Sequence, residues 1–129
     1  MAKFSIKKII PLIIIFFSII LFDQLTKILV IRNFQLYESI SILPFFNLTF
    51  VVNYGFAFGF LNNSSLNQII VIIVIFSIIA YFLYLLFKTQ DQFFRFSLIL
   101  VLSGAIGNFI DRLLHGFVID FIDIYIGSY

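Results

Sequence analysis

The sequence predicts an α-helical membrane protein with three transmembrane helices and a small β-sheet outside the hydrocarbon core. Three observations carry that reading. Hydrophobic residues make up 63 % of the 129 residues and charged residues only 11 %, against about 25 % charged in a soluble domain. Three long apolar runs divide the chain. Between the first two runs lies a stretch of alternating and aromatic residues with the pattern of short strands.

The same composition excludes other classes. Eight basic and six acidic side chains leave a net charge of +2. The basic groups are scattered among apolar runs, so the sequence pI of about 9.0 does not signal a nucleic-acid partner. The absence of cysteine removes a disulfide framework, a thiol nucleophile and Cys-based metal sites. A single histidine removes the usual His-clustered metal site, and no cofactor is expected.

The first apolar run, Ile9 to Ile31, has 23 residues. As a helix it is roughly 34 Å long at ~1.5 Å per residue, enough to cross a bilayer. Lys3, Lys7 and Lys8 ahead of it imitate a secretory signal. No small-x-small cleavage site follows, and the run resumes after Lys27, so an uncleaved first span is expected. Pro11 lies near the start, where a helix tolerates it. From Arg32 to Ser65, Ser39-Ile40-Ser41-Ile42 alternates, and Phe45 to Val52 is aromatic and β-branched. Bounded by Pro44 and Gly55, these segments read as short strands of a sheet on the outer membrane surface, because open edges cannot face lipid. The second run, Leu66 to Phe87, carries no charge, and the third runs from Phe96 to about Leu114. Lys3, Lys7, Lys8, Lys88 and Arg95 mark the cytoplasmic side, so three spans put the N-terminus inside and the C-terminus outside. With no internal repeat or linker, residues 1–129 read as one domain.

In such a chain the polar residues are the informative ones, because an ionisable group within a span needs a reason. Asp23 lies about 21 Å along the first run at ~1.5 Å per residue. Lys27, four residues on, shares its helical face. The pair is either a helix-end pair snorkelling to the surface or the support of a polar site, and spacing does not choose between them. A Thr26–Lys27 dyad is disfavoured because adjacent helix residues diverge. Near the end of the third run, Ser103 and Gly107 form a small-xxx-small pair that permits close helix approach. Gly104, Asn108, Asp111, Arg112 and His115 recur on neighbouring turns and predict a polar site, with His115 beside Gly116 marking the helix exit. Asp120 sits between Val118-Ile119 and Phe121-Ile122 and is expected to be desolvated by them, which suits acid–base work. Asp123 reads instead as a polar position of a surface strand, facing away from Asp120. Asn53 opens a glycine- and aromatic-rich turn through Phe60 and needs a partner if buried. Asn47-Leu48-Thr49 and Asn62-Asn63-Ser64 match the glycosylation triplet, a weak signal in a short chain.

Four of these segments together resemble the successive motifs of lipoprotein signal peptidase (signal peptidase II). They are Asp23-Gln24-Leu25-Thr26-Lys27, Phe46 to Phe58, Gly104 to Arg112, and Gly116 to Phe121. The resemblance implies a bacterial inner-membrane aspartyl endopeptidase with four transmembrane helices, cytoplasmic termini and an extracytoplasmic β-cradle. Such enzymes cleave the signal peptide from diacylglyceryl-modified prolipoproteins just before the lipidated cysteine, and globomycin blocks them. By the same resemblance Asp120 matches the first catalytic aspartate. Asn53, Asn108 and Arg112 match residues lining the active site, and Asp23, Lys27 and Asp111 match supporting positions. Phe56 stands where the family has a small residue. The family's second catalytic aspartate lies in a Phe-Asn-x-Ala-Asp motif at the fourth span, which this chain, ending at Tyr129, does not contain. The expectation is therefore a monomeric membrane peptidase represented by three spans and one of two aspartates, inactive or nearly so in isolation. Its partners are membrane lipids and the lipidated substrate. The alternatives are a non-catalytic homologue that binds lipidated peptides and a small membrane transport subunit.

Overall fold

The structure is a computed structural model that describes residues 6–55 and 65–126. Phe56 and the triplet at Asn62 lie outside these residues. The element order is α1 (Ile6–Asn33), β1 (Ser39–Leu43), β2 (Phe46–Asn53), α2 (Ser65–Lys88), α3 (Gln92–His115) and β3 (Val118–Ile124). All three helices are long and apolar enough to cross a membrane.

Each helix forms where its apolar run predicts, with particular end signals. α1 continues unbroken through Asp23–Lys27 and contains Pro11 in its second turn. The proline removes one backbone donor there, and other groups re-satisfy the freed carbonyl more readily near a helix end. Asp91 caps α3, accepting from the amides of Phe93 and Phe94. Gly116 ends α3 in the left-handed conformation (φ +80°), its N–H bonding to the Arg112 carbonyl. The chain can thus leave the membrane helix and start β3 within two residues.

α3 is the central helix and packs against both α1 and α2. Its inward stripe buries Leu98, Leu102, Ser103, Gly107 and Asp111. Large apolar side chains such as Phe17, Phe22, Phe76 and Leu114 stay exposed on the outer surfaces, as helices solvated by lipid require.

The three strands form one antiparallel sheet in the order β1-β2-β3. Asp123 of β3 faces Asn47 of β2, which faces Ser41 of β1, and Ser39 pairs with Thr49. One face is therefore polar, and it is tied together by hydrogen bonds: Ser39 Oγ to Thr49 Oγ1 at 2.8 Å and Thr49 Oγ1 to Asp123 Oδ2 at 3.1 Å. The opposite face carries the row Ile40, Leu48 and Ile122 and the row Leu43, Phe46 and Ile124. A register shift in β2 between Leu48 and Val51 brings Val51 opposite Asp120.

Candidate active site

Polar side chains in α1 and α3 meet inside the bundle. Lys27 is 4 % exposed and Asp111 1 % exposed. Lys27 Nζ lies 2.9 Å from Asp23 Oδ2 and 2.8 Å from Asp111 Oδ2, and it donates to Asn108 Oδ1 at 3.1 Å. An ammonium has three donors, and here all three find acceptors. The snorkelling reading of Asp23–Lys27 is thereby overturned: Lys27 turns inward and bridges two helices.

One cation faces two carboxylates, and Gln24 supplies further donors. Its Nε2 reaches Asp23 Oδ2 at 3.1 Å, Asp111 Oδ1 at 3.0 Å and the Gly107 carbonyl at 3.2 Å. Full satisfaction of this kind is what makes buried charge tolerable in a low-dielectric interior. Gly107 permits it: a Cβ there would overlap the Asp23 carboxylate. Ser103, one turn earlier, is fully buried, so the small-xxx-small pair does mark the close approach. Gly104 lies off that seam, with nothing within 4 Å of the place its Cβ would occupy.

The network extends to the sheet. Asp111 Oδ2 also accepts the backbone N–H of Ile119 at 3.1 Å. A helix carboxylate thus fixes the first residues of β3, where Val118 and Ile119 are buried against the bundle. Asp120 follows immediately. Its side chain is exposed, so the expected desolvation by its flanking residues does not occur. The reason is strand alternation: Ile122 and Ile124, its neighbours on the same face, are themselves exposed and provide no cover.

The charged neighbour of Asp120 is Arg112, whose guanidinium interacts electrostatically with both Asp120 and Asp111. Arg112 Nη1 donates to the Asn108 carbonyl at 3.3 Å, while its buried Nε has no hydrogen-bond partner among the described residues. The turn after β2 closes over it. Asn53 Oδ1 accepts from Gly55 N at 2.8 Å, and Gly55 has φ +100°. A Cβ on Gly55 would meet Arg112 Nη2 at 3.3 Å and Val71 Cγ1 at 3.2 Å. Asn53 pairs with Val118, so it is the diagonal neighbour of Asp120 across the strands.

The residues singled out in the sequence therefore divide into a core and a rim. Lys27 and Asp111 form the buried core, with the half-buried Asp23 and the exposed Asn108 joining it through Lys27. Asn53, Arg112 and Asp120 gather at the rim where helix, turn and strand meet. His115 stands at the helix exit, as expected, stacked at 5.9 Å on Phe117, which in turn meets Tyr54 edge-on at 5.6 Å. Gln24 and Gln68 were not foreseen. Gln24 lies one residue from Asp23, but Lys27 falls between the two around the helix, so all three share one stripe. Gln68 of α2 closes on Gly116, where its Oε1 would lie 3.0 Å from an added Cβ. The available signal for both was an amide at the edge of or within an apolar run.

Comparison with known proteins gives the family. A profile of signal peptidase II matches residues 15–129. The lipoprotein signal peptidase of Pasteurella multocida is 45 % identical over 108 residues, covering 81 % of this chain and 66 % of that protein. The lipoprotein signal peptidase of Shewanella oneidensis is 44 % identical over 116 residues, covering 85 % and 66 %. The chain thus spans just under two thirds of the length of these curated relatives. Two solved structures of a bacterial membrane enzyme share its fold at 34 % identity, with TM-scores of 0.74 and 0.76. Each alignment covers 92 % of this chain, and 73 % and 77 % of the solved chains. By sequence along nearly its whole length, and by fold, this chain belongs to the signal peptidase II family.

Proposed function

We propose that the chain, as one domain over residues 1–129, serves an aspartyl endopeptidase of the bacterial inner membrane. It acts as a monomer, with the N-terminus cytoplasmic and the sheet on the outer side. The reaction removes the signal peptide from a diacylglyceryl-modified prolipoprotein, cleaving just before the lipidated cysteine. Asp120 is the catalytic carboxylate. Asn53, Asn108 and Arg112 line the substrate site, and Asp23, Lys27, Gln24 and Asp111 position it.

One observation carries this reading. The chain has six acidic side chains, and five are engaged by its own groups. Asp23 and Asp111 hold Lys27. Glu38 accepts from Gln35 N at 2.7 Å. Asp91 caps α3. Asp123 accepts from Thr49 on the polar face of the sheet. Asp120 makes no side-chain hydrogen bond within the described residues, is open to solvent, and stands beside Arg112 at the end of the network that fixes Ile119. It is the carboxylate available for chemistry.

In a two-carboxylate mechanism one carboxylate takes a proton from the attacking water while its protonated partner donates toward the scissile carbonyl. Asp120 supplies one of the two groups. None of the other five is free to face it, so the second must come from outside this set. That point also favours a second reading, a homologue that binds lipidated peptides without cleaving them. A transport subunit is disfavoured because Asp23, Lys27 and Asp111 satisfy one another among the described residues.

The test is processing of a diacylglyceryl-modified prolipoprotein in membranes, with a family member's second carboxylate segment supplied to the chain. Asp120→Asn is expected to lower cleavage by about 10²–10⁴-fold while leaving the fold unchanged. Cleavage that survives Asp120→Asn removes the residue from the reaction. Peptide binding without any cleavage selects the second reading.

A further inference from the structure

The end of the bundle away from the sheet carries a cavity that the proposed reaction does not use. α1 begins there, and α2 turns into α3 through residues 89–91. Leu12 and Ile13 of α1, Leu86 and Phe87 of α2, and Ile99 of α3 help enclose about 450 Å³. That volume lies within the usual range for small-molecule sites, about 300–1,000 Å³. The walls are hydrocarbon with one exception, Arg95, which is 8 % exposed.

We propose that this cavity binds one anionic phospholipid, with an acyl chain along the aliphatic walls and the headgroup phosphate at the Arg95 guanidinium. The argument is charge placed where an interfacial headgroup would lie. Arg95 sits one turn inside the start of α3 and lines the cavity, and its Nη2 donates to the Thr89 carbonyl, which helps fix the guanidinium. A planar, fixed guanidinium offers parallel donors suited to phosphate oxygens. The same end carries Lys7, exposed on α1, and Lys88, whose Nζ lies 5.5 Å from the Tyr84 ring centroid. Asp91 opposes them, and its carboxylate is committed to the Phe93 and Phe94 amides. Among the described side chains this end of the bundle is therefore net positive, which favours a headgroup with net negative charge over a zwitterion. The lining is apolar apart from Arg95, which favours an acyl chain over a polar solute.

The experiment uses the whole chain purified in a membrane mimic, with phosphatidylglycerol and phosphatidylcholine of identical acyl chains and mass spectrometry of the intact complexes. The unmodified chain is expected to retain one phosphatidylglycerol about fivefold more tightly than phosphatidylcholine. Arg95→Gln is expected to bring the two lipids to parity with lipid still bound. Leu12→Trp, which fills the cavity, is expected to remove the retained lipid of both kinds. Equal retention of both lipids by the unmodified chain overturns the proposal. So does a preference that survives either substitution, or self-association that hides the cavity and excludes lipid. Should Arg95→Gln fail to fold, Leu12→Trp decides alone: a headgroup preference lost with the cavity supports the site, and one that persists refutes it.

Discussion

The Asp111 carboxylate accepts the backbone N–H of Ile119 at 3.1 Å, so a side chain buried in a membrane helix holds the residue that precedes Asp120. The same oxygen lies 2.8 Å from Lys27 Nζ. The charge pair between α1 and α3 and the placement of β3 are therefore one structure. A change at Asp111 acts on Asp120 without touching it.

This separates stability from positioning. Asp111→Leu leaves Lys27 with one carboxylate fewer in a buried site and is expected to destabilise the protein by about 3–5 kcal/mol. Lys27→Met and Asp23→Asn combined with Asp111→Leu remove all three charges of the network and are expected to recover most of that loss. The apolar residues at 27 and 111 do not restore the acceptor for Ile119 N, so prolipoprotein cleavage, assayed with the second carboxylate segment supplied, stays low in the triple variant. Thermal unfolding and cleavage, measured on the same preparations, check the two halves. Cleavage that returns with stability would show that Asp111 acts only by filling space.

Two glycines three residues apart in α3 give opposite expectations. Gly107→Ala drives a methyl into the Asp23 carboxylate and is expected to cost about 1–3 kcal/mol. Gly104→Ala meets nothing within 4 Å and is expected to stabilise by about 0.5–1 kcal/mol through helix propensity. The difference in unfolding temperature between the two variants is the measurement. Equal effects would mean that α1 does not approach α3 at Gly107.

Asp123 tests the assignment of roles within β3. It lies in the polar row with Asn47 and Thr49, on the face away from Asp120. Asp123→Asn keeps an acceptor for Thr49 and is expected to change stability by less than about 1 kcal/mol and, with the second carboxylate segment supplied, to leave cleavage near the unmodified level. Loss of cleavage with an intact fold would place Asp123 in the reaction and weaken the case for Asp120.

Much of the fold is legible in the sequence because each signal is strong and local. Three apolar runs near the bilayer length become α1, α2 and α3, and the alternation at Ser39–Ile42 becomes β1. The Asp23–Lys27 spacing gives an ion pair, but it does not give the partner. Asp111 and Asn108 reach Lys27 from more than eighty residues away in sequence, and only the packing of α1 on α3 joins them. Gly104 and Gly107 are equally small, and a helical wheel cannot tell which one faces a carboxylate. The exposure of Asp120 was also illegible. Flanking apolar residues suggest burial, but in a strand the neighbours that count are two residues away and across the sheet, and Ile122 is itself open.

The last prediction concerns the chain as a catalyst. Paired carboxylates at about 3 Å keep one proton between them because like charges so close cannot both ionise. Among the described residues the other carboxylates are engaged elsewhere: Asp23 and Asp111 by Lys27, Glu38 by Gln35 N, Asp91 by the start of α3 and Asp123 by Thr49. Releasing any of them leaves a donor unpaired, which costs about 1–3 kcal/mol or more when buried. The 129-residue chain alone is therefore expected to cleave a lipidated prolipoprotein at least about 10²-fold more slowly than the Pasteurella multocida relative assayed alongside it. Supplying the Phe-Asn-x-Ala-Asp segment that the resemblance implies is expected to raise the rate, and the same segment with its aspartate changed to asparagine is not. Comparable turnover by the chain alone would mean that Asp120 works without a paired carboxylate or that one of the five leaves its partner during the reaction.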